Sequence, residues 1–165
     1  MKIYLIGMPG SGKSTVGRSL SKKLNIPFYD LDGLVEKEAL MFTNELIEKY
    51  GIDKFRELET KVLKNLHFSE GIVACGGGIV ENKINKEAMD GTVIYLDVNN
   101  ELIEKRLESD YDRPLLKTYT IEELYTKRFL MYQHFATKNV SNEKTVEETV
   151  DAIIALLGKE VWKRF

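Results

Sequence analysis

An α/β fold, with a parallel sheet covered by helices, is what this sequence predicts, on three observations. Ile3-Tyr4-Leu5-Ile6 is apolar without alternation, the pattern of a central parallel strand buried on both faces. Gly7-Met8-Pro9-Gly10-Ser11-Gly12-Lys13-Ser14 follows at once and leads into a helix-like segment, so a full G-x-x-x-x-G-K-[ST] phosphate-binding loop lies between a strand and a helix, where its mechanism needs it. Further along, apolar runs keep alternating with helical periodicity, the βα rhythm of such sheets.

The first helix is expected from Ser14 to about Leu24, with Val16, Leu20 and Leu24 on one stripe. Pro27-Phe28-Tyr29 begins a second strand that ends at Asp30-Leu31-Asp32-Gly33, which puts two carboxylates at the C-terminal end of a strand, where open α/β sheets bind ligands. Residues 34 to about 69 read as helical, with breaks near Phe42-Thr43-Asn44 and Tyr50-Gly51. In the last of these pieces Arg56 and Glu59 share a face at i, i+3, and Phe55, Leu58, Val62 and Leu66 form an apolar stripe. Gly71 to Cys75 is a third strand, and the Gly76-Gly77-Gly78 that follows implies either a very close approach of the backbone or repeated positive φ.

Thr92 to Leu96 is the fourth strand, followed by a helix from about Asn99 to Leu107. Ser109-Asp110-Tyr111-Asp112-Arg113-Pro114 is polar and kept out of regular helix by its proline, which makes it a candidate lid. A helix then starts near Thr120, with Glu123 as its capping-box partner. Lys138-Asn139-Val140-Ser141 is a weakly apolar candidate for a fifth strand, and the final helix runs from about Thr145 to Leu157 and ends at Gly158.

Composition narrows the function. The chain has 165 residues, one cysteine, two histidines and a net charge of −2. That length suits one domain, and balanced charge without a basic block argues against nucleic acid as partner. Cys75 cannot form an internal disulfide, and the two histidines lie far apart, leaving no His/Cys metal cluster. With no leader-like start and no apolar run near the ~18 residues of a membrane span, a cytoplasmic protein acting on small molecules is expected.

Within the loop, backbone N–H groups would cradle phosphates, Lys13 would reach the β- and γ-phosphates, and Ser14 would offer its hydroxyl to Mg²⁺. Asp30 and Asp32 divide into one carboxylate toward Mg²⁺ and one toward a substrate hydroxyl, against the alternative that Asp32 caps a helix. The chain is rich in lysine and has only six arginines, at 18, 56, 106, 113, 128 and 164. A guanidinium fork suits bidentate anion contact, so Arg56, Arg113 and Arg128 are candidates for anion recognition, the alternative being surface salt bridges. Arg56 and Arg128 stand more than seventy positions apart and have no local reason to cooperate unless a ligand joins them. Cys75, His67 and His134 read as structural or surface residues, as does the Tyr125, Phe129, Tyr132 series.

In order and spacing, the phosphate loop, Asp30-x-Asp32, Phe55-Arg56-x-x-Glu59, Gly76-Gly77-Gly78, Arg113-Pro114-Leu115-Leu116 and Arg128-x-x-x-Tyr132 resemble the shikimate kinase family, of the nucleoside monophosphate kinase-like P-loop fold. The resemblance covers essentially the whole chain. It implies a single P-loop kinase domain over residues 1–165, a five-stranded sheet in the order 2-3-1-4-5, a substrate-binding region at about 32–60 and a mobile lid near 109–118. It implies ATP contacts from Gly10, Ser11, Gly12, Lys13, Ser14, Thr15, Arg106 and Arg113, with Arg106 against adenine. Shikimate would be held by Asp32, Arg56, Gly77, Gly78 and Arg128, the two arginines on its carboxylate. Lys13, Asp32 and Arg113 would carry catalysis, Ser14 and Asp30 would serve the metal, and the enzyme would act as a monomer.

Ile47 stands where the family often has phenylalanine, Cys75 where a small hydroxyl residue is common, and the stretch between Arg106 and Arg113 is acidic rather than glycine-rich. Another small-molecule kinase of this fold, acting on gluconate or a nucleoside monophosphate, is the nearest rival reading. A GTP switch is a more distant one: Asp30 and Gly33 fit D-x-x-G, but no N-K-x-D element follows.

Overall fold

A computed structural model describes residues 1–108, 116 and 118–162. Five parallel strands form one sheet in the order β2-β3-β1-β4-β5: β1 (Lys2–Ile6), β2 (Phe28–Asp30), β3 (Gly71–Ala74), β4 (Thr92–Asp97) and β5 (Lys138–Ser141). β1 is central, with Tyr4 opposite Val73 on one side and Val93 on the other. Its side chains alternate between two cores. Ile3 and Leu5 pack with Val16, Leu20 and Leu24 of α1 (Lys13–Leu24) and Val150, Ile153 and Leu157 of α8 (Val146–Leu157). Tyr4 and Ile6 face the other way, among Leu63 of α4 (Ile52–Lys64), Ile103 of α6 (Asn100–Leu107) and Tyr132 and Phe135 of α7 (Ile121–Phe135). Each buried aliphatic side chain contributes roughly 1.5–3 kcal/mol, so a strand flanked on both faces needs the continuous apolar run that β1 has.

β2 passes directly into α2 (Leu31–Ala39), followed by α3 (Thr43–Tyr50) and α4. Leu40 ends α2 in the left-handed conformation, and Gly51 separates α3 from α4. Val35, Leu46 and Phe55, one from each helix, form a small core of their own. The break expected at Tyr50-Gly51 falls at Gly51, and the one expected near Phe42-Thr43-Asn44 lies slightly earlier, at 40–42, with Thr43 already starting α3.

Between β3 and β4 lie a 3-10 turn at Ile79–Glu81 and α5 (Ile84–Ala88), neither of which the apolar pattern announces. The turn closes through Ile79 N–H to Gly76 O and Glu81 N–H to Gly78 O, and the buried Asn85 amide donates to Ile79 O at 2.8 Å. The hydroxyl of Thr120 caps α7 by accepting from Glu123 N–H. A reciprocal capping box joins Thr145 and Glu148 at the start of α8, and a further turn of helix, α9 (Lys159–Trp162), follows Gly158.

Candidate active site

The phosphate loop leaves the C-terminal end of β1 and enters α1, whose N-cap is Gly12 at φ +93°. A side chain there would be strained and would collide with the Asn142 amide. Glycine offers no side chain to cap the first-turn N–H groups, and a helix start of this kind suits phosphate oxygens. Lys13 reaches back over the loop, donating to the carbonyls of Gly7 and Met8, both at 2.8 Å. The loop is braced from outside. The buried Asn142, just past β5, donates to Ser11 O at 2.7 Å and accepts from the Thr149 hydroxyl. Arg106 donates to Asn142 O at 2.7 Å and Gly10 O at 3.3 Å, which sets it at the rim of the loop.

Asp30 is the last residue of β2 and Asp32 lies in the first turn of α2. The N-cap position is therefore held by Asp30, without a side-chain capping bond, and the capping alternative for Asp32 does not apply. Ser14 in the first turn of α1 and Asp30 at the end of β2 lie at the same edge of the sheet, since parallel strands end there together. One hydroxyl and one carboxylate are hard oxygen donors of the kind Mg²⁺ takes when phosphates and water complete its sphere, so these residues fit that ion. Among the described residues no group of three His, Cys, Asp or Glu side chains gathers as a metal cluster.

The triple glycine is explained by close approach. A Cβ at Gly76 would meet Asp32 Oδ1 at 2.8 Å and Glu59 Oε2 at 2.9 Å, so two carboxylates converge on one point. A Cβ at Gly77 would press on Pro9 of the phosphate loop and on Arg128, and one at Gly78 would fall inside the Arg56 guanidinium. Gly76, Gly77 and Gly78 do not take positive φ.

Arg56 donates to Glu59 Oε1 at 3.1 Å and to Glu81 Oε2 at 3.2 Å. Arg128, 1% exposed, donates to the same Glu81 oxygen at 2.9 Å. The two arginines thus meet within the protein itself, through Glu81, which corrects the expectation that only a ligand would bring them together. The salt-bridge alternative is met in part: both arginines pair with Glu81, which they share, and Arg128 is buried rather than at the surface. Glu59 is fully buried; burial pushes its carboxyl up to about 7, with Arg56 opposing and Asp32 adding to the rise. Burial also raises Glu81, but the hydrogen bond from Lys127 and the charges of Arg128 and Arg56 outweigh it and hold that carboxyl below its usual range. Tyr132 stacks on Tyr95 and donates to Gly77 O at 2.6 Å, fixing the glycine backbone from α7.

Pro9, Asp32, Arg56, Glu59, the three glycines and Arg128 line one open cavity of about 650 Å³. Pro9 forms its phosphate-loop end, Asp32 and Glu59 its floor, Arg56 and Arg128 its cationic wall, and Ile47 and Phe55 an apolar side. It can receive a small polar molecule bearing an anionic group and present its hydroxyls to the loop.

The family model for shikimate kinase matches residues 9–158. The chain belongs to the shikimate kinase family. The shikimate kinase of Aquifex aeolicus is 41% identical over 162 residues, covering 95% of this chain and 96% of that protein. That of a Sulfurihydrogenibium species is 39% identical over 162 residues, covering 95% and 98%. Among solved structures, shikimate kinase from Acinetobacter baumannii in complex with shikimate superposes with a TM-score of 0.89 at 31% identity, covering 94% of this chain and 92% of that one. The Aquifex aeolicus crystal structure gives 0.84 at 38%, covering 97% and 98%. The sheet order expected from the resemblance is the one observed.

Of the residues anticipated from sequence, Asp32, Arg56, Gly77, Gly78 and Arg128 line the cavity together. Gly10, Ser11, Gly12, Lys13, Ser14 and Thr15 form the loop and the first turn of α1. Arg113 and all of the expected lid, 109–118, except residues 116 and 118, lie outside the described residues. Cys75 is buried with its thiol raised by burial, and His67 and His134 are exposed, in keeping with their structural reading. Two residues were missed: Glu81, signalled only by a carboxylate shortly after the glycines, and Asn142, a polar residue just past a weak edge strand.

Proposed function

We infer that the protein transfers the γ-phosphoryl group of ATP to the 3-hydroxyl of shikimate, forming shikimate 3-phosphate in aromatic amino-acid biosynthesis. The observation that carries the substrate assignment is the cavity in which the phosphate loop, Asp32 and the paired arginines face one another. In this reading Arg56 and Arg128 take the substrate carboxylate in charge-assisted hydrogen bonds, and Gly77 and Gly78 let the ring lie close to the backbone. Asp32 accepts a hydrogen bond from the ring hydroxyl that attacks, orienting it toward the loop and taking its proton as it leaves. The loop N–H groups and Lys13 hold the phosphates, and Arg113 meets the charge that develops on the transferred group. Arg106, which donates to Gly10 O at the loop, packs on the adenine in this reading. Ser14 and Asp30 would hold Mg²⁺, which would supply neutralisation of phosphate charge.

Among the described residues no helix is long and apolar enough to cross a membrane, and we assign the enzyme to the cytoplasm as a monomer acting on small molecules alone. An ADP-release assay with shikimate, gluconate and nucleoside monophosphates tests the reading. Shikimate should stimulate turnover; stimulation by another acceptor and not by shikimate would refute it.

A further inference from the structure

Another cavity, about 340 Å³ in volume and called the rear cavity below, also has the arginine pair in its lining. Arg56 and Arg128 line both cavities, while Glu81, Asn82, Tyr119 and Lys127 line only this one, and Asp32, Glu59 and the three glycines only the first. Glu81 therefore meets the guanidinium groups from a cavity other than the one that Asp32, Glu59 and the glycines line. One of its oxygens accepts from both arginines, at 3.2 and 2.9 Å, and the other pairs with Lys127 at 2.5 Å.

Two guanidinium groups side by side with little solvent repel one another, and their long side chains would separate unless an anion held them. The Arg56 side chain is 17% exposed and that of Arg128 is 1% exposed. Glu81 brings their Nη2 atoms to one oxygen, and each fork carries further N–H groups beyond that contact with which to meet a second anion. We propose that Glu81 is a positioning residue that sets the spacing and aim of the arginine pair for the carboxylate of the substrate. The inference rests on the reading of these arginines as the carboxylate site. It also assigns the rear cavity a role, as the space through which Glu81 reaches them without occupying the place of the substrate.

The test compares the wild type with Glu81→Ala, Glu81→Gln and Glu81→Asp in steady-state kinetics, with and without sodium formate at tens of millimolar. Glu81→Ala and Glu81→Gln should raise the KM for shikimate by roughly tenfold or more, as expected for loss of a charged hydrogen-bond partner. The kcat and the KM for ATP should stay within about twofold of wild type, since neither depends on ground-state aim of the pair. Glu81→Asp should recover part of the loss. Formate should restore Glu81→Ala, because the rear cavity admits a small carboxylate to the vacated place, and should not restore Glu81→Gln, whose amide fills it. An unchanged or lowered KM for shikimate in Glu81→Gln would overturn the proposal, because Glu81 would then compete with substrate rather than aim its partners. Losses shared by kcat and the KM for ATP, or formate acting on Glu81→Ala only as an inhibitor, would overturn it too. If Glu81→Ala does not fold, the comparison of Glu81→Gln with Glu81→Asp decides on the same criteria. A wild type without shikimate-stimulated turnover would instead remove the functional reading on which the proposal stands.

Discussion

Replacing Glu59 by glutamine should make the protein more stable at alkaline pH and leave it nearly unchanged in mild acid. The fully buried Glu59 carboxyl is raised from 4.5 to about 7, first by burial, with the Asp32 charge adding and the Arg56 guanidinium partly offsetting the rise. In the unfolded chain the group ionises near its ordinary value, so between these limits the folded protein holds a proton that the unfolded chain releases. Stability associated with Glu59 is therefore fully present below about 4.5 and lost as the pH rises through about 7. At 1.36 kcal/mol per pH unit, the ionised group costs about 3 kcal/mol at pH 8. Glutamine keeps the shape and an oxygen for Arg56 and carries no charge. Urea unfolding of both proteins at intervals from pH 4 to pH 8.5 measures the difference, with Glu59→Gln predicted to gain on the wild type between about 4.5 and 7 and to hold a constant advantage above. Two parallel curves would show that Glu59 ionises normally in the folded state and would refute the reasoning.

Four further substitutions probe the site. Arg56→Lys and Arg128→Lys keep the charge and lose the fork, and each should weaken shikimate binding by about 1.5–3 kcal/mol in titration calorimetry while ATP binding barely changes. An analogue with a neutral amide in place of the carboxylate should lose less affinity in these variants than in wild type, and additive losses would argue against the clamp. Asp32→Asn should sharply reduce kcat while the melting temperature holds, since the Glu59 carboxyl beside it loses a like-charged neighbour; a collapse of stability would make Asp32 structural. Asn142→Ala removes the amide that braces Ser11 O and the acceptor of the Thr149 hydroxyl. It should cost about 1–3 kcal/mol in denaturant unfolding and raise the KM for ATP more than that for shikimate.

Where local pattern and buried packing coincide, the fold was legible. β1 is legible as a continuous apolar run buried on both faces, and α1 from the helical period of its one buried stripe. β5 was visible only faintly, as an edge strand in which Val140 alone is buried. The Gly76–Glu81 turn and α5 were not anticipated, since they are held by backbone bonds and by Asn85 rather than by an apolar stripe. At the site, Arg56 and Glu59 were paired from their i, i+3 spacing, and the distances agree. Glu81 reaches Arg56 across 25 positions and Arg128 across 47, and Asn142 reaches Ser11 across 131. Contacts at such separations are made by topology, and spacing within one segment carries no trace of them.

The most direct test of the central claim is to identify the product. Incubating the protein with shikimate, ATP and Mg²⁺ and following the mixture by ³¹P NMR with proton correlation should show one new phosphomonoester coupled to the proton at carbon 3, formed in step with ADP. ADP formation without phosphorylated shikimate, or phosphate on a different hydroxyl, would contradict the account.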